Sequence, residues 1–374
     1  MIADRVRMEA YVDALKQAVN PDAVVLDIGT GTGIFSMLAC QFGARRVYAI
    51  EPDDAIQVAR EIAAANGFAG RIEFIQELST RVVLPEPIDV IISDLHGVLP
   101  LHQHLIPSIV DARRRLLTPG GRLIPRCEIL WAAVAEAPDF YRRHTGPWRD
   151  NSYSLDMEGA RLLATNTWSK RRVKPEQILL PPQIWVSLDY NSITEPDVSG
   201  ELTWVVDRPG LADALVVWFD ATLAEGVGFS NAPGEPELIY GNAYFPLSEP
   251  VTLDAGDAVI VALHADLVGD DYIWRWDTRV LAQEDPERIK ASFRQNSLAG
   301  VPLSPQQLRR RAHDYVPELN ERGAIAHAIL EHMAHGTRNE QTAREISARF
   351  PQRFPTWQEA LAEVGDVATK YCAQ

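Results

Sequence analysis

The stretch VVLDIGTGTGIFSML, residues 24–38, limits this chain more than any other part of it. A run of five residues, apolar apart from Asp27, ends in a loop with glycines at 29, 31 and 33. A helical pattern, IFSMLACQF (34–42), follows at once. Uninterrupted aliphatic runs are the mark of strands buried on both faces, as in parallel sheets. The same alternation continues: RVYAIE (46–51), AIQVAREIAAAN (55–66), RIEFIQ (71–76), IDVIISD (88–94), LIPSIVDARRRLL (105–117) and RLIP (122–125) read in turn as strand, helix, strand, strand, helix, strand. Pro119-Gly120-Gly121 reads as the stop of the last helix. Parallel strands joined by crossover helices make a doubly wound α/β sheet over residues 1–125.

Beyond residue 126 the period changes. IWVSLDY, GELTWVVD, DALVVWFDATLA, EPVTLDAGDAVIVALHADL and YIWRWDTRVL alternate apolar and polar residues between Pro, Gly, Asn and Asp. These are the signs of an antiparallel barrel or sandwich, assigned to 126–284. From Asp285 the pattern turns helical: PERIKASFRQN, SPQQLRRRAHDY, GAIAHAILEHMAHG, NEQTAREISARF and TWQEALAEVGDVATKY predict a small helical C-terminal domain, 285–374. Ser304 and Thr356 precede two of these helices, with Gln307 and Glu359 completing capping boxes. The expected fold class is thus a Rossmann-like α/β domain, an antiparallel β-barrel domain and a helical tail. A chain of 374 residues is long enough for such a division.

The net charge of -15 argues against nucleic-acid or anionic-membrane binding, which need Lys and Arg, and suits a cationic substrate. No apolar run approaches the length of a membrane span, and no signal segment opens the chain. The three cysteines, Cys40, Cys127 and Cys372, show no metal-type spacing and fit a reducing, cytoplasmic setting.

A GxGxG loop alone also suits dinucleotide dehydrogenases, but its context narrows the ligand. Asp27 ends the first strand two residues before Gly29, and Glu51 ends the next, where a carboxylate can accept both hydroxyls of a ribose. The loop lacks the extra residue of GxGxxG that shapes a pyrophosphate seat. A nucleoside with a short amino-acid tail fits better, and S-adenosyl-L-methionine has that form.

DIGTGTGIFSMLA, GARRVYAIE, IDVIISD and LTPGGRLIP resemble the core of the class I methyltransferases, and specifically of the protein arginine methyltransferases. The opening MIADRVRMEAY is similar to that family's first helix, and GFSNAPGEPELIY to a stretch of its barrel, so the resemblance runs in order over residues 1 to about 280. It implies that Arg7 pairs with the cofactor's carboxylate and that Tyr11 packs near the cofactor. It further implies that Asp27 acts on the ammonium side through the loop Gly29, Gly31, Gly33, that Glu51 holds the ribose, and that Ser79 and Thr80 meet the adenine edge.

The acceptor pocket departs from the family. Its loop after the fourth strand carries two glutamates nine residues apart that grip a guanidinium. Here SDLHGVLPLHQHL (93–105) places the shorter Asp94 first and the neutral Gln103 second. Tyr240-Gly241-Asn242-Ala243 stands where the family has Thr-His-Trp. What the loop offers besides Asp94 is His96, His102 and His104, of which one is able to remove a proton from an acceptor positioned by Asp94. No metal site is expected from these residues. The implied activity is an S-adenosylmethionine-dependent N-methyltransferase acting on a guanidino, imidazole or amine nitrogen of a small molecule or peptide, in natural-product biosynthesis for instance. The alternative is a catalytically silent relative that binds the cofactor and serves as a scaffold.

The family also has a helical arm in its barrel that reaches a partner. Met157–Lys174 occupies that place, with Leu162, Leu163 and Trp168 available for burial, so the resemblance implies a homodimer. In the tail, Ile325, Ile329, Leu330 and Met333 form one stripe and Ala343, Ile346 and Phe350 another. The tail faintly resembles the small winged-helix-like modules that recognise leader peptides, which implies a leader strand added to a sheet edge.

Overall fold

The structure, a computed structural model, describes residues 2–150 and 153–372. Two compact units divide it, Met1–Pro302 and Leu303–Gln374.

The first unit opens with α1 (Arg5–Ala18), capped by the Asp4 side chain, which accepts from the Arg7 amide. Then come β1 (Val24–Ile28), α2 (Ile34–Gln41), β2 (Arg46–Ile50), α3 (Ala55–Ala65), β3 (Ile72–Ile75), β4 (Ile88–Ser93), α4 (Leu105–Arg115) and β5 (Leu117–Ile124). The five strands form a parallel sheet in the order β3-β2-β1-β4-β5. Val25 is the hub of the register, opposite Val47 on one side and Val90 on the other. Every residue of β1 is buried, which is why its sequence is an unbroken apolar run apart from Asp27. One boundary differs from the sequence reading: β5 begins at Leu117, so Pro119-Gly120-Gly121 lies inside the strand instead of before it. Proline is tolerated there because β5 is an edge strand.

Antiparallel structure follows: β6 (Cys127–Ala135), the helices α5 (Pro138–Arg149) and α6 (Glu158–Thr165), then β7 (Ser169–Arg171), β8 (Gln183–Asp189), β9 (Val198–Val205), β10 (Gly210–Ala224), β11 (Val227–Ser230), β12 (Asn242–Leu253), β13 (Ala258–Val268), β14 (Asp271–Ala282) and β15 (Asp285–Asn296). They make two sheets, β7-β12-β10-β6-β8 with β11 on β10, and β15-β14-β13-β9. Trp274 of β14 packs on Trp185 of β8 and on Phe245 of β12, at 5.8 and 5.2 Å between ring centroids, so the two sheets share one core. The sheets come together where β8 runs beside β9 and β12 beside β15.

Two features correct the sequence reading of this region. PERIKASFRQN (286–296) is strand, not helix: β15 pairs with β14, Phe293 opposite Thr278 and Ala291 opposite Val280. Apolar residues two and four apart satisfy either period, and the unpaired edge of β14 decides for the strand. Trp168 is not a surface residue awaiting a partner, since it packs against Phe245 and Trp274. Leu162, on α6, is 47% exposed.

The second unit contains α7 (Pro305–Arg310), α8 (Glu321–Ala334), α9 (Asn339–Arg349) and α10 (Trp357–Tyr371). Ser304 and Thr356 cap α7 and α10 by accepting from the Gln307 and Glu359 amides, the N-cap half of each expected capping box. Ile325, Ile329, Ala343, Ile346 and Val364 form its core. Leu330 does not join them and stays 37% exposed. No strand occurs among its described residues, so this unit offers no sheet edge of its own to a leader strand, contrary to the winged-helix expectation.

Candidate functional site

Strand order reverses between β1 and β4, and the loops that leave their C-terminal ends face one another there. In open α/β sheets this reversal opens the ligand crevice. A cleft of about 340 Å³ lies there, lined by Gly29, Glu51, Leu78, Ser79, Leu95, His96, His102, Gln103, His104 and Ser108 among others. Residues expected to hold the cofactor and residues expected to handle the acceptor thus line one space.

At the cofactor end the backbone carries the shape. Gly29, Gly31 and Gly33 all have positive φ, at 72, 54 and 82°. A Cβ on Gly29 would stand 2.2 Å from Leu95 Cδ2, whereas one on Gly31 would meet nothing within 4 Å, so Gly31 faces open space. Asp27 is buried below the loop, where one carboxylate oxygen accepts from the Thr30 and Ser36 hydroxyls at 2.6 and 2.7 Å. Burial pushes its carboxyl up to about 6, the two hydroxyls opposing. Asp27 therefore sets the loop's conformation and does not line the cleft. Glu51 does line it, and its two oxygens accept the amides of Gly31 and Asp53, both at 3.0 Å. Each oxygen keeps a lone pair for another donor. Ser79 sits in a single tight turn, Ser79–Arg81, and lines the cleft; Thr80 is exposed and does not.

Arg7 and Tyr11 lie on the buried face of α1. Tyr11 stacks on Phe35 at 4.6 Å and donates to the Ser93 carbonyl. Arg7, 2% exposed, forms an ion pair with Asp94, and its Nε donates to the Tyr240 hydroxyl at 2.9 Å. Its partners here are protein groups, where the resemblance implies the cofactor's carboxylate.

The acceptor end is a buried polar chain. Asp94 Oδ1 faces His96 Nδ1 at 2.9 Å and accepts from the Tyr240 hydroxyl at 2.8 Å. His96 Nε2 faces Glu128 Oε1 at 2.5 Å, and Tyr190 donates to Glu128 Oε2 at 2.5 Å. The His96 ring stacks parallel to Phe219 at 5.4 Å. Glu128 comes from β6, Phe219 from β10, and Tyr190 and Tyr240 from the loops after β8 and before β12. His102 is half-buried against Gly97; burial holds its imidazole below the ordinary value, with Asp271 opposing and His96 assisting. Gln103 sits at a positive φ of 44°, and His104 bonds Asp270 at 3.0 Å near the surface. Among the described residues no group of three or more His, Cys, Asp or Glu is placed to hold a metal ion.

Sequence reasoning missed Glu128, Tyr190 and the role of Tyr240. Glu128 did leave a signal: it is the one charge inside the apolar run CEILWAAVA (127–135).

Residues 9–125 match the family model of ribosomal protein L11 methyltransferase (PrmA), and residues 127–271 match the arginine methyltransferase oligomerization subdomain. Protein arginine N-methyltransferase 1 of Dictyostelium discoideum is 31% identical over 267 residues, 69% of this chain and 78% of that protein. The chain belongs to the protein arginine N-methyltransferase family. That family is a branch of the class I S-adenosylmethionine-dependent methyltransferases. The probable protein arginine N-methyltransferase 6 of Arabidopsis thaliana is 34% identical over 199 residues, which span 52% of this chain and 46% of that relative's length. The Trypanosoma brucei PRMT1 enzyme-prozyme heterotetrameric complex with AdoHcy superposes with a TM-score of 0.71 at 25% identity, covering 79% of this chain and 95% of that one.

The residues at the β1–β2 end fit the family's cofactor. Glu51 has lone pairs free for a ribose diol, Ser79 lies where the cleft continues past it, and Gly29 lines the cleft with no side chain to fill it. No helix among the described residues is long and apolar enough to cross a membrane.

Proposed function

We propose that this chain is a methyltransferase that moves the methyl group of S-adenosylmethionine to a guanidino, imidazole or amine nitrogen of a peptide or small molecule. The observation that carries the reading is the single cleft lined by Glu51 and Ser79 at one end and by His96, His102 and Gln103 at the other. The bound cofactor supplies a methyl already activated on a sulfonium sulfur, so the chain's own residues need chiefly to align the acceptor and exclude water. Glu51 would grip the ribose and Ser79 the adenine edge, while Thr80 stands outside the cleft. Asp94 and His96 form a rigid floor under the acceptor, and the neutral imidazole of His102 is the nearest partly accessible proton acceptor.

A homodimer is part of the proposal. Trp148, Tyr153, Leu155 and Leu162 leave apolar surface exposed in and after α5 and on α6, within the region matched by the oligomerization model. The three cysteines are free, which suits a reducing cytoplasm.

Calorimetry with S-adenosylhomocysteine, together with transfer of a labelled methyl from S-adenosylmethionine to arginine-, histidine- and lysine-containing peptides, tests the reading. Binding with a methylated product supports it. Tight binding without product from any acceptor would favour a silent scaffold, and binding of NADH in place of S-adenosylhomocysteine would overturn the cofactor assignment.

A further inference from the structure

A second space adjoins the cleft, and His102 lines both. It is a cavity of about 220 Å³ between the loop after β4, the strand β14 and the turn after β15. Val98, Leu99 and Leu101 come from that loop, Trp168 from between α6 and β7, and Tyr272 and Trp274 from β14. Gly97 lets the loop close on the imidazole, since a Cβ there would stand 2.9 Å from the ring atoms Cγ and Nδ1.

The lining is mostly apolar. Trp168 and Trp274 meet edge to face at 6.3 Å between ring centroids. The Tyr272 hydroxyl donates to the Pro196 carbonyl, outside the lining, at 3.0 Å, and the Ser297 hydroxyl accepts the Trp274 amide at 2.9 Å. Among the described residues that line the cavity Asp271 is the one carboxylate. At the rim Leu298 and Val301 are each more than half exposed. Apolar rim and apolar recess together form a surface whose removal from water is favourable.

Size and position narrow the occupant. Pockets that take a free small molecule measure about 300–1,000 Å³, and this cavity is smaller. It has room for one side chain of a ligand held elsewhere. The acceptor in the reaction cleft, across His102, is such a ligand. An extended peptide advances about 3.3–3.6 Å per residue, so an anchor within about three positions of the target has a reach of about 10 Å.

We propose, resting on the methyltransferase reading above, that this cavity is a specificity subsite for a peptide acceptor. It takes an aliphatic or aromatic side chain close in sequence to the residue that is methylated. No bond changes in the cavity. Its part is to hold the peptide so that the target nitrogen stays in the cleft.

Peptides with one arginine in a glycine background test this. Each carries Leu, Phe, Asp or Lys at one position, from three before the arginine to three after it. They are titrated into the full chain loaded with S-adenosylhomocysteine, and their methylation is followed with S-adenosylmethionine. One position should favour Leu or Phe over Gly at least tenfold in Kd and KM, because even one methylene in a hydrophobic pocket is worth about 10-fold or more. The kcat should change little, as expected of binding shared by ground and transition states. Leu298→Asp places a charge in the rim and should remove most of that preference. Equal affinity at every position, no binding of any peptide, or a preference for Lys or Asp overturns the subsite and leaves the methyltransferase reading in place. A preference that Leu298→Asp leaves unchanged also overturns it. So does a Leu298→Asp chain that changes its oligomeric state in sedimentation while the peptide preference persists, which gives the rim to a second copy. An intact preference for the apolar residue with no methyl transfer brings down the methyltransferase reading and leaves the subsite.

Discussion

The two ends of the cleft are built on different principles. At the cofactor end the cleft-lining groups are local: Gly29, Glu51 and Ser79 all come from loops that leave neighbouring parallel strands, and Glu51 accepts the nearby amides of Gly31 and Asp53. At the acceptor end the groups come from five separate segments, with Arg7 on the first helix, Asp94 and His96 after β4, Glu128 on β6, and Tyr190 and Tyr240 on the antiparallel side. A local site keeps its form when distant residues change, since each group is held by its own loop. A site assembled across domains is interdependent, and one altered residue redefines the others.

Substitutions at each end sharpen the contrast. Asp94→Ala should have the largest effect, because it leaves Arg7 and His96 without their shared counter-charge. A loss of about 3–5 kcal/mol in unfolding free energy is expected for a broken buried pair. Methyl transfer should also fall at least about 100-fold, the usual result of an ångström-scale misplacement. Retention of both in urea unfolding and rate measurements would dissolve the network as a functional unit. Gly29→Ala comes next: left-handed strain costs about 1–2 kcal/mol, and the contact with Leu95 adds about 1–3 kcal/mol of overpacking. Gly31→Ala carries the strain without the contact, so the difference between their melting temperatures measures the Leu95 clash.

Asp27 gives the cofactor end a pH signature. Its carboxyl, ordinarily at 3.8, is raised to about 6 by burial, so its folded form favours the proton. The stability this contributes is fully present below about pH 4 and is lost as pH rises through 6, about 3 kcal/mol in all. Asp27→Asn should flatten unfolding free energy between pH 4 and 6; an unchanged slope would remove Asp27 as its source. Glu51→Ala should weaken cofactor binding by about 1–3 kcal/mol, read by calorimetry, with little effect on the ratio of rates between acceptors. His104→Ala should be the mildest, since its partner Asp270 is exposed and such surface pairs contribute about 0–1 kcal/mol. A large effect there would extend the acceptor end to the rim.

The alternation of parallel strands and helices, the glycine loop and the place of Glu51 after β2 were legible because each depends on neighbours within a strand-loop-helix unit. Apolar runs and a helical period leave little freedom there. β15 was not legible: Ile289, Ala291 and Phe293 carry spacings that serve either period, and only the free edge of β14 made it a strand. Trp168 was misjudged for a related reason, as the Phe245 and Trp274 rings that cover it lie far along the chain. In the tail, capping by Ser304 and Thr356 was readable, but not which stripe residues the helices would bury: Ile329 is inside and Leu330 half out. The pairing of Arg7 with Asp94 and Tyr240 was not legible, because it joins residues 87 and 233 positions away in sequence.

By itself, then, the sequence determined the parallel sheet and a glycine loop with a carboxylate, Glu51, at the end of the next strand, since periodicity and backbone freedom act over a few residues. Tertiary structure alone decided that Arg7, Asp94, His96 and Glu128 would form one buried chain closed by two tyrosines. Pairing of charge in a dry interior is a property of the residues that meet there, and chain order does not say which residues meet.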